Sequence, residues 1–313
     1  MHALAWLEFF LAIAIYGAIA AANGSAAKSQ ADTDHSLWAL LFWVDCGRMV
    51  ATLSLAVFML HRNGRQTMEL GFPAFAITLL PVIGNVGWYA FGRLASKSDL
   101  SIIAPIISLY SAIPIVFHSI RARQRWKHLK VIGTLFSIAA LVCLGVSSEK
   151  HVVENQDSVW IQVLLFFTVF ISWGASDTIS STVRRETTMT WGQIILCNAV
   201  GYLLVVSFLG ATVLGSTTSG TSFIINGDWG FVLGVNATLP FGWLAYVHLC
   251  SEHDASVLVQ LFGFYIIIPV ISGIIFFGED FTLLKILGFI FVVLANLAFS
   301  RSTIVTNTED AVV

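Results

Sequence analysis

The residues that could do chemistry here are charged and polar side chains inside apolar runs. Asp45 and Arg48 stand three positions apart in the stretch from Leu37 to Leu60, a spacing that puts both on one face of a helix. Asp45 lies about eight residues into that stretch, roughly 12 Å at helical rise. That is close to the middle of a hydrocarbon core about 30 Å thick. Charges at such depth are costly unless they pair or meet water, so they mark a functional site, or else an ion pair that only fixes helix packing. Asp177 shares a helix end with Trp173, Ser176, Ser180 and Ser181. Glu8 and His248 are shallower, where each can reach the interface or cap a helix.

Amides and aromatic rings accompany these charges. Asn85, Trp88 and Tyr89 form one patch, echoed by Asn236, Trp243 and Tyr246. Such rings either stack on a ligand and hold its cation or form the aromatic belt of a membrane protein. Asn85, Asn198 and Gln260 are placed deeper and suit a cavity. Pro114 and Pro269 fall inside apolar runs, and each denies a hydrogen bond to the carbonyl four residues earlier, those of Tyr110 and Tyr265. A kink there either acts as a hinge and offers a carbonyl to a solute, or only shapes packing. The expected solute-binding set is Asp45, Arg48, Asn85, Tyr89, Tyr110, Asp177, Asn198, Trp243, Gln260 and Tyr265, with Pro114 and Pro269 as hinges. Its mixed sign suits a small zwitterion or amine, and an ionisable Asp suits coupling to a proton.

The elements that must position these residues are dictated by composition. Of 313 residues, 57% are hydrophobic and 11% charged, whereas a soluble domain keeps about 25% of its residues charged. The mean hydropathy is +0.83. A chain of this kind cannot cover a water-facing surface, and lipid is the solvent that fits it. In lipid the backbone must satisfy its own hydrogen bonds, so apolar runs of about 20 residues are helices. Ten are expected, near 4–22, 37–60, 71–92, 100–120, 129–147, 158–180, 191–214, 229–250, 255–277 and 282–300. Gly24 to Ser36 and Glu149 to Asp157 are expected as polar breaks, and the tail after Arg301 as disordered. The first run has no Lys or Arg before Leu4, which reads as a spanning helix and not as a secretory signal. Cys46, Cys143, Cys197 and Cys250 form no metal-binding or disulfide pattern.

With ten spans, the loops and tail on the side of the termini hold ten Lys and Arg residues against five on the other side. The positive-inside rule then places both termini in the cytoplasm. The cluster from Arg121 to Lys130 is read as part of that signal and not as a nucleic-acid site. The net charge of −2 gives no reason to expect nucleic acid.

A repeat organises the chain. Gly87-Trp88-Tyr89-Ala90 returns as Gly242-Trp243-Leu244-Ala245, an offset of 155 residues. Without a gap, the same offset pairs Asp99 with Asp254, Ser101 with Ser256, Tyr110 with Tyr265, Pro114 with Pro269, Lys130 with Lys285 and Gly133 with Gly288. With small shifts Phe9-Phe10 and Gly17-Ala18 match Phe166-Phe167 and Gly174-Ala175, and Trp38 and Asp45 match Trp191 and Asn198. The expected architecture is therefore an all-α integral membrane fold of ten transmembrane helices in two five-helix repeats, residues 1–148 and 149–301, followed by a cytoplasmic tail, 302–313. Five is odd, so the second repeat enters inverted, as in many secondary transporters.

This pattern resembles the drug/metabolite transporter superfamily in its ten-helix EamA-like form, over nearly the whole chain. The resemblance is carried by Asp99-Leu100-Ser101 and Asp254-Ala255-Ser256, each leading into a Pro-broken helix. Phe277-Gly278-Glu279-Asp280-Phe281 before the last helix is similar to the family's Gly-Glu turn, where the first half has Gln124 instead. It implies a transporter fold and leaves the solute open, since the family includes metabolite exporters, sugar-phosphate and nucleotide-sugar exchangers and drug exporters.

The function expected is a secondary transporter exporting or exchanging an amino acid or amine-like metabolite by alternating access. A phosphorylated substrate needs deep Lys and Arg, and only Arg48 qualifies, with Asp45 able to neutralise it. This disfavours the alternative of a nucleotide-sugar or sugar-phosphate exchanger. A different class is a non-transporting membrane subunit or receptor. No enzyme motif is present, and no cofactor is expected. The expected partners are a small-molecule solute, a coupling proton, the lipid bilayer of a cell (inner or plasma) membrane, and a second copy of the chain. Asn23-Gly24-Ser25 matches an N-glycosylation pattern but lies too near a helix to weigh much.

Overall fold

A computed structural model describes residues 3–30, 34–63, 71–114, 128–152, 159–215, 228–252 and 263–309, with the single residues 117 and 258. Its elements are α1 (Ala3–Gln30), α2 (Asp34–Asn63), α3 (Phe72–Ala95), α4 (Leu100–Ser108), α5 (His128–Val152), α6 (Val159–Glu186), α7 (Trp191–Gly215), α8 (Asp228–Ala237), α9 (Leu239–Glu252), α10 (Ile267–Phe277) and α11 (Leu283–Glu309). Two 3₁₀ turns, Leu109–Ser111 and Gly263–Ile266, follow α4 and precede α10. No strand occurs among the described residues. The protein is all-helical, and among the described residues six spans are long and apolar enough to cross a membrane: Ala5–Lys28, Leu37–Arg62, Phe72–Ala95, Trp160–Val183, Trp191–Val213 and Gly230–Glu252. Four further apolar helical stretches are shorter: Leu100–Pro114, Val131–Leu144, Phe264–Phe277 and Leu283–Phe299.

The outer surface carries large apolar side chains, among them Leu7, Phe10, Phe58, Phe75, Leu164, Phe208 and Phe276. Exposed apolar area spread over so many helices is stable in lipid and not in water. Inside, α2 packs on α7, α5 on α11, α3 on α6 and α7, and α1 on α9 and α10. Small residues bring the helices close. A Cβ built on Gly17 would lie 2.3 Å from Ile268 Cδ1, and one on Gly174 would lie 2.4 Å from Ile113 Cδ1.

The breaks differ from the sequence expectation in four places. The polar segment after Gly24 does not leave the first helix, which runs on to Gln30. Its polar residues are accommodated by packing: Gly24 faces Leu100 and Phe91, and the Asn23 amide is exchanged with that of Asn236. Asn23 is 6% exposed, so its amide is engaged inside the fold and does not present a glycosylation site. The eighth expected span divides at Thr238, between α8 and α9. Pro240 has no N–H to give the Asn236 carbonyl, and the Thr238 hydroxyl instead donates to the Val235 carbonyl. At the other two places helix continues past the expected end, since α5 reaches Val152 and α11 reaches Glu309.

Candidate functional site

A cavity of about 90 Å³ lies among the helices. The 3₁₀ turns bring Tyr110 and Tyr265 to it, at the positions whose carbonyls lose a donor to Pro114 and Pro269. Trp173, Ser176, Asp177 and Ser180 come from one face of α6, because residues three and four apart stack on a helix. Asn85 and Trp88 come from α3, Asn198 and Tyr202 from α7, Trp243 from α9, Tyr16 from α1 and Arg48 from α2.

Arg48 is held from several sides. Its Nη1 donates to Asp45 Oδ1 at 3.1 Å, and its Nε and Nη2 both donate to Asn236 Oδ1 at 3.1 and 2.6 Å. Asn236 Nδ2 donates to Asn23 Oδ1 at 2.7 Å and to the Val232 carbonyl at 2.8 Å. The Trp88 ring covers the guanidinium, 5.1 Å from ring centroid to Cζ. Arg48 is 1% exposed and Asp45 0%. A guanidinium so engaged is neutralised and anchored. Asp45 itself stands behind Arg48 and does not line the cavity.

Asp177 is arranged differently. Its Oδ2 is buried with no hydrogen-bond partner among the described residues. The rings around it are set edge to face or tilted: Tyr110 on Trp173 at 5.7 Å, Trp88 on Trp173 at 4.7 Å, and Tyr16 on Tyr265 at 6.3 Å between centroids. Trp243 Nε1 donates to Ser180 Oγ at 3.1 Å, which fixes that ring against α6.

Of the expected solute-binding residues, Arg48, Asn85, Tyr110, Asp177, Asn198, Trp243 and Tyr265 meet at the cavity. Tyr89 does not line it: its ring stacks on Trp38 at 4.4 Å. Gln260 lies outside the described residues. Pro114 and Pro269 are buried beside the two turns. Glu8 and His248, set apart in the sequence, pair at 3.0 Å near one end of the bundle. Sequence reasoning missed Tyr16 and Tyr202. The repeat held a signal for the first, since Gly17 matching Gly174 sets Tyr16 opposite Trp173. Tyr202 carried no such mark.

A second charged group sits at the end of the molecule away from the start of α1. Lys28 pairs with Glu279 and lies 3.7 Å from Asp99 Oδ1, and Lys285 Nζ donates to Asp99 Oδ2 at 2.6 Å. Glu279 also accepts from the backbone N–H groups of Leu100 and Ser101, each at 2.9 Å. It thereby caps α4, where free donors and the helix dipole favour an anion. Gly278, with φ of 62°, ends α10 in the left-handed conformation and turns the chain to aim Glu279 inward.

No family model matches the sequence, and no curated protein matches it. The fold does have a counterpart. A solved crystal structure, described only as that of a protein, aligns with a TM-score of 0.62 over 96% of this chain and 98% of its own length, at 11% identity. At that identity the likeness is one of fold alone.

Proposed function

We propose that this chain is a secondary transporter that carries a small polar metabolite, amino acid or amine-like, by alternating access around the central cavity. Its ten helices form two inverted five-helix repeats, with both termini in the cytoplasm. The observation that carries this reading is reciprocal packing between the halves. Gly17 of the first half meets Ile268 of the second, and Gly174 of the second meets Ile113 of the first. Ile113 and Ile268 are partners in the 155-residue register. Likewise Gly133 meets Phe299 while Gly288 meets Leu144, and Phe299 and Leu144 are again 155 apart. Gly87 meets Trp173 while Gly242 meets Ile15 and Tyr16. Two halves that exchange equivalent contacts can adopt two related arrangements around a shared site. Residues of both halves line the cavity.

The cavity also favours a small solute. Pockets for drug-sized ligands occupy about 300–1,000 Å³, well above the 90 Å³ here. Arg48 is engaged by Asp45 and Asn236, so a phosphorylated substrate finds no free cation among the described lining. The pairs at the Lys28–Glu279 end hold that side together, as one end must be held while the other opens. The test is flux: purified protein in liposomes, loaded and diluted into labelled amino acids and amines under proton and solute gradients. Accumulation above empty liposomes is expected. No flux of any such solute under any gradient would remove the transport reading.

A further inference from the structure

We infer that the cavity selects a small organic monocation, an alkylammonium group held by Asp177 inside a cage of aromatic rings, over a zwitterion or an anion. The inference rests on the reading that the central cavity is the solute site, and it names the charge of that solute. Asp177 lines the cavity with one carboxylate oxygen left without a partner among the described residues. No basic side chain among the described residues pairs with it there. Arg48 is the sole Lys or Arg among the described lining residues, and its charge is matched by Asp45 at 3.1 Å. The lining therefore holds one carboxyl group that no Lys or Arg among the described residues matches, and a buried carboxylate is stabilised when an opposite charge meets it.

The rest of the wall fits that occupant. Tyr16, Tyr110, Trp173, Trp243 and Tyr265 supply rings around the carboxylate. Ring faces attract ammonium groups, most strongly where water is excluded. A zwitterion adds a carboxylate that needs its own donor, and the one guanidinium among the described lining is shielded by Trp88 and bonded to Asn236 and Asp45.

The experiment uses the full chain, purified in detergent and in liposomes. Binding of tetramethylammonium, choline, ethanolamine, glycine, phenylalanine and acetate is measured by calorimetry. The alkylammonium ions are expected to bind, and glycine and acetate to bind roughly tenfold or more weakly than ethanolamine. Asp177→Asn is expected to weaken alkylammonium binding by roughly tenfold or more, with Asp177→Glu restoring part of it. Trp243→Leu, which keeps every charge, is expected to weaken it roughly three- to tenfold, and Trp243→Phe less. It keeps the inference open to test should the Asp177 variants fail to fold. Unchanged affinity in folded Asp177→Asn, or in folded Trp243→Leu, would overturn it. So would a preference for zwitterions or anions in the unaltered protein. Transport of a zwitterion without cation binding would sink the cation site and leave the transporter reading standing. Cation binding that depends on Asp177, without flux of any solute, would do the reverse.

Discussion

Two charged groups in this protein solve the same problem in different ways. At the end of the bundle, Lys28 and Lys285 face Asp99 and Glu279, so two cations meet two anions. Glu279 also uses both oxygens on the start of α4. In the middle, Arg48 is matched by Asp45 and leans on the neutral amide of Asn236, and Asp177 is left over. The end group is balanced and joins α1, α4, α11 and the turn before α11. The central group is not matched in this way among the described residues: Arg48 reaches the cavity already paired, and the Asp177 carboxyl group reaches it without a basic partner. Charges that satisfy one another hold a structure together. One that stays unsatisfied inside an apolar protein calls for a ligand.

The largest effect should come from breaking the central pair. Arg48→Met leaves Asp45 buried without its cation, a change that costs about 3–5 kcal/mol in buried pairs. Thermal unfolding in detergent should show a large drop, and Asp45→Asn added to Arg48→Met should recover part of it by removing the stranded charge. If Arg48→Met unfolds like the parent, the pair does not anchor the helices, and Arg48 returns as a candidate for direct contact with solute.

The end group should respond less. Glu279→Gln keeps an acceptor for one of the two backbone donors of α4 but loses the charge that faces Lys28. Hydrogen bonds to charged groups contribute about 1.5–3 kcal/mol, so the expected loss is of that size and smaller than for Arg48→Met. Denaturant midpoints of the two variants under one condition test the order. A reversed order would make the end group the true anchor of the fold.

How these groups could be read from sequence differs as much as their chemistry. Asp45 and Arg48 announced themselves, since two charges at helical spacing deep in an apolar run are too costly to stand there without a partner or a task. Their roles were less visible. That Asp45 stands behind Arg48, with Asn236 as the second anchor, depends on α8 ending beside α2, a tertiary fact with no local signature. Tyr110 and Tyr265 were legible through the prolines four residues later, because the lost backbone bond is written in the sequence. Tyr89 stands off the cavity with its ring on Trp38, and the register of a helix face against a cavity is set by packing. Glu279 was legible as part of a turn, but its bonds to Leu100 and Ser101 join segments 179 and 178 residues apart. The extension of α1 through Asn23 and Gly24 was hidden for a related reason. Polar and flexible residues read as a break unless their tertiary partners are known.

The smallest effect separates the two groups by solvent. The Lys28 side chain is 23% exposed, against 1% for Arg48 and 3% for Lys285. Lys28→Met keeps an apolar stem to cover Phe277, whose ring centroid lies 5.1 Å from the ammonium. Only the charge is lost, and Glu279 keeps its two backbone donors on α4, so the loss should fall below that of Glu279→Gln. Added salt screens a rim pair far more than a buried one. The stability gap between Lys28→Met and the parent should therefore narrow as salt is raised, whereas the gap for Arg48→Met should hold. Salt titrations of the unfolding midpoint for the three proteins test this directly. A Lys28 gap that ignores salt would mean that the end group is as dry as the centre, and the contrast between a wetted tie and a buried anchor would have to be withdrawn.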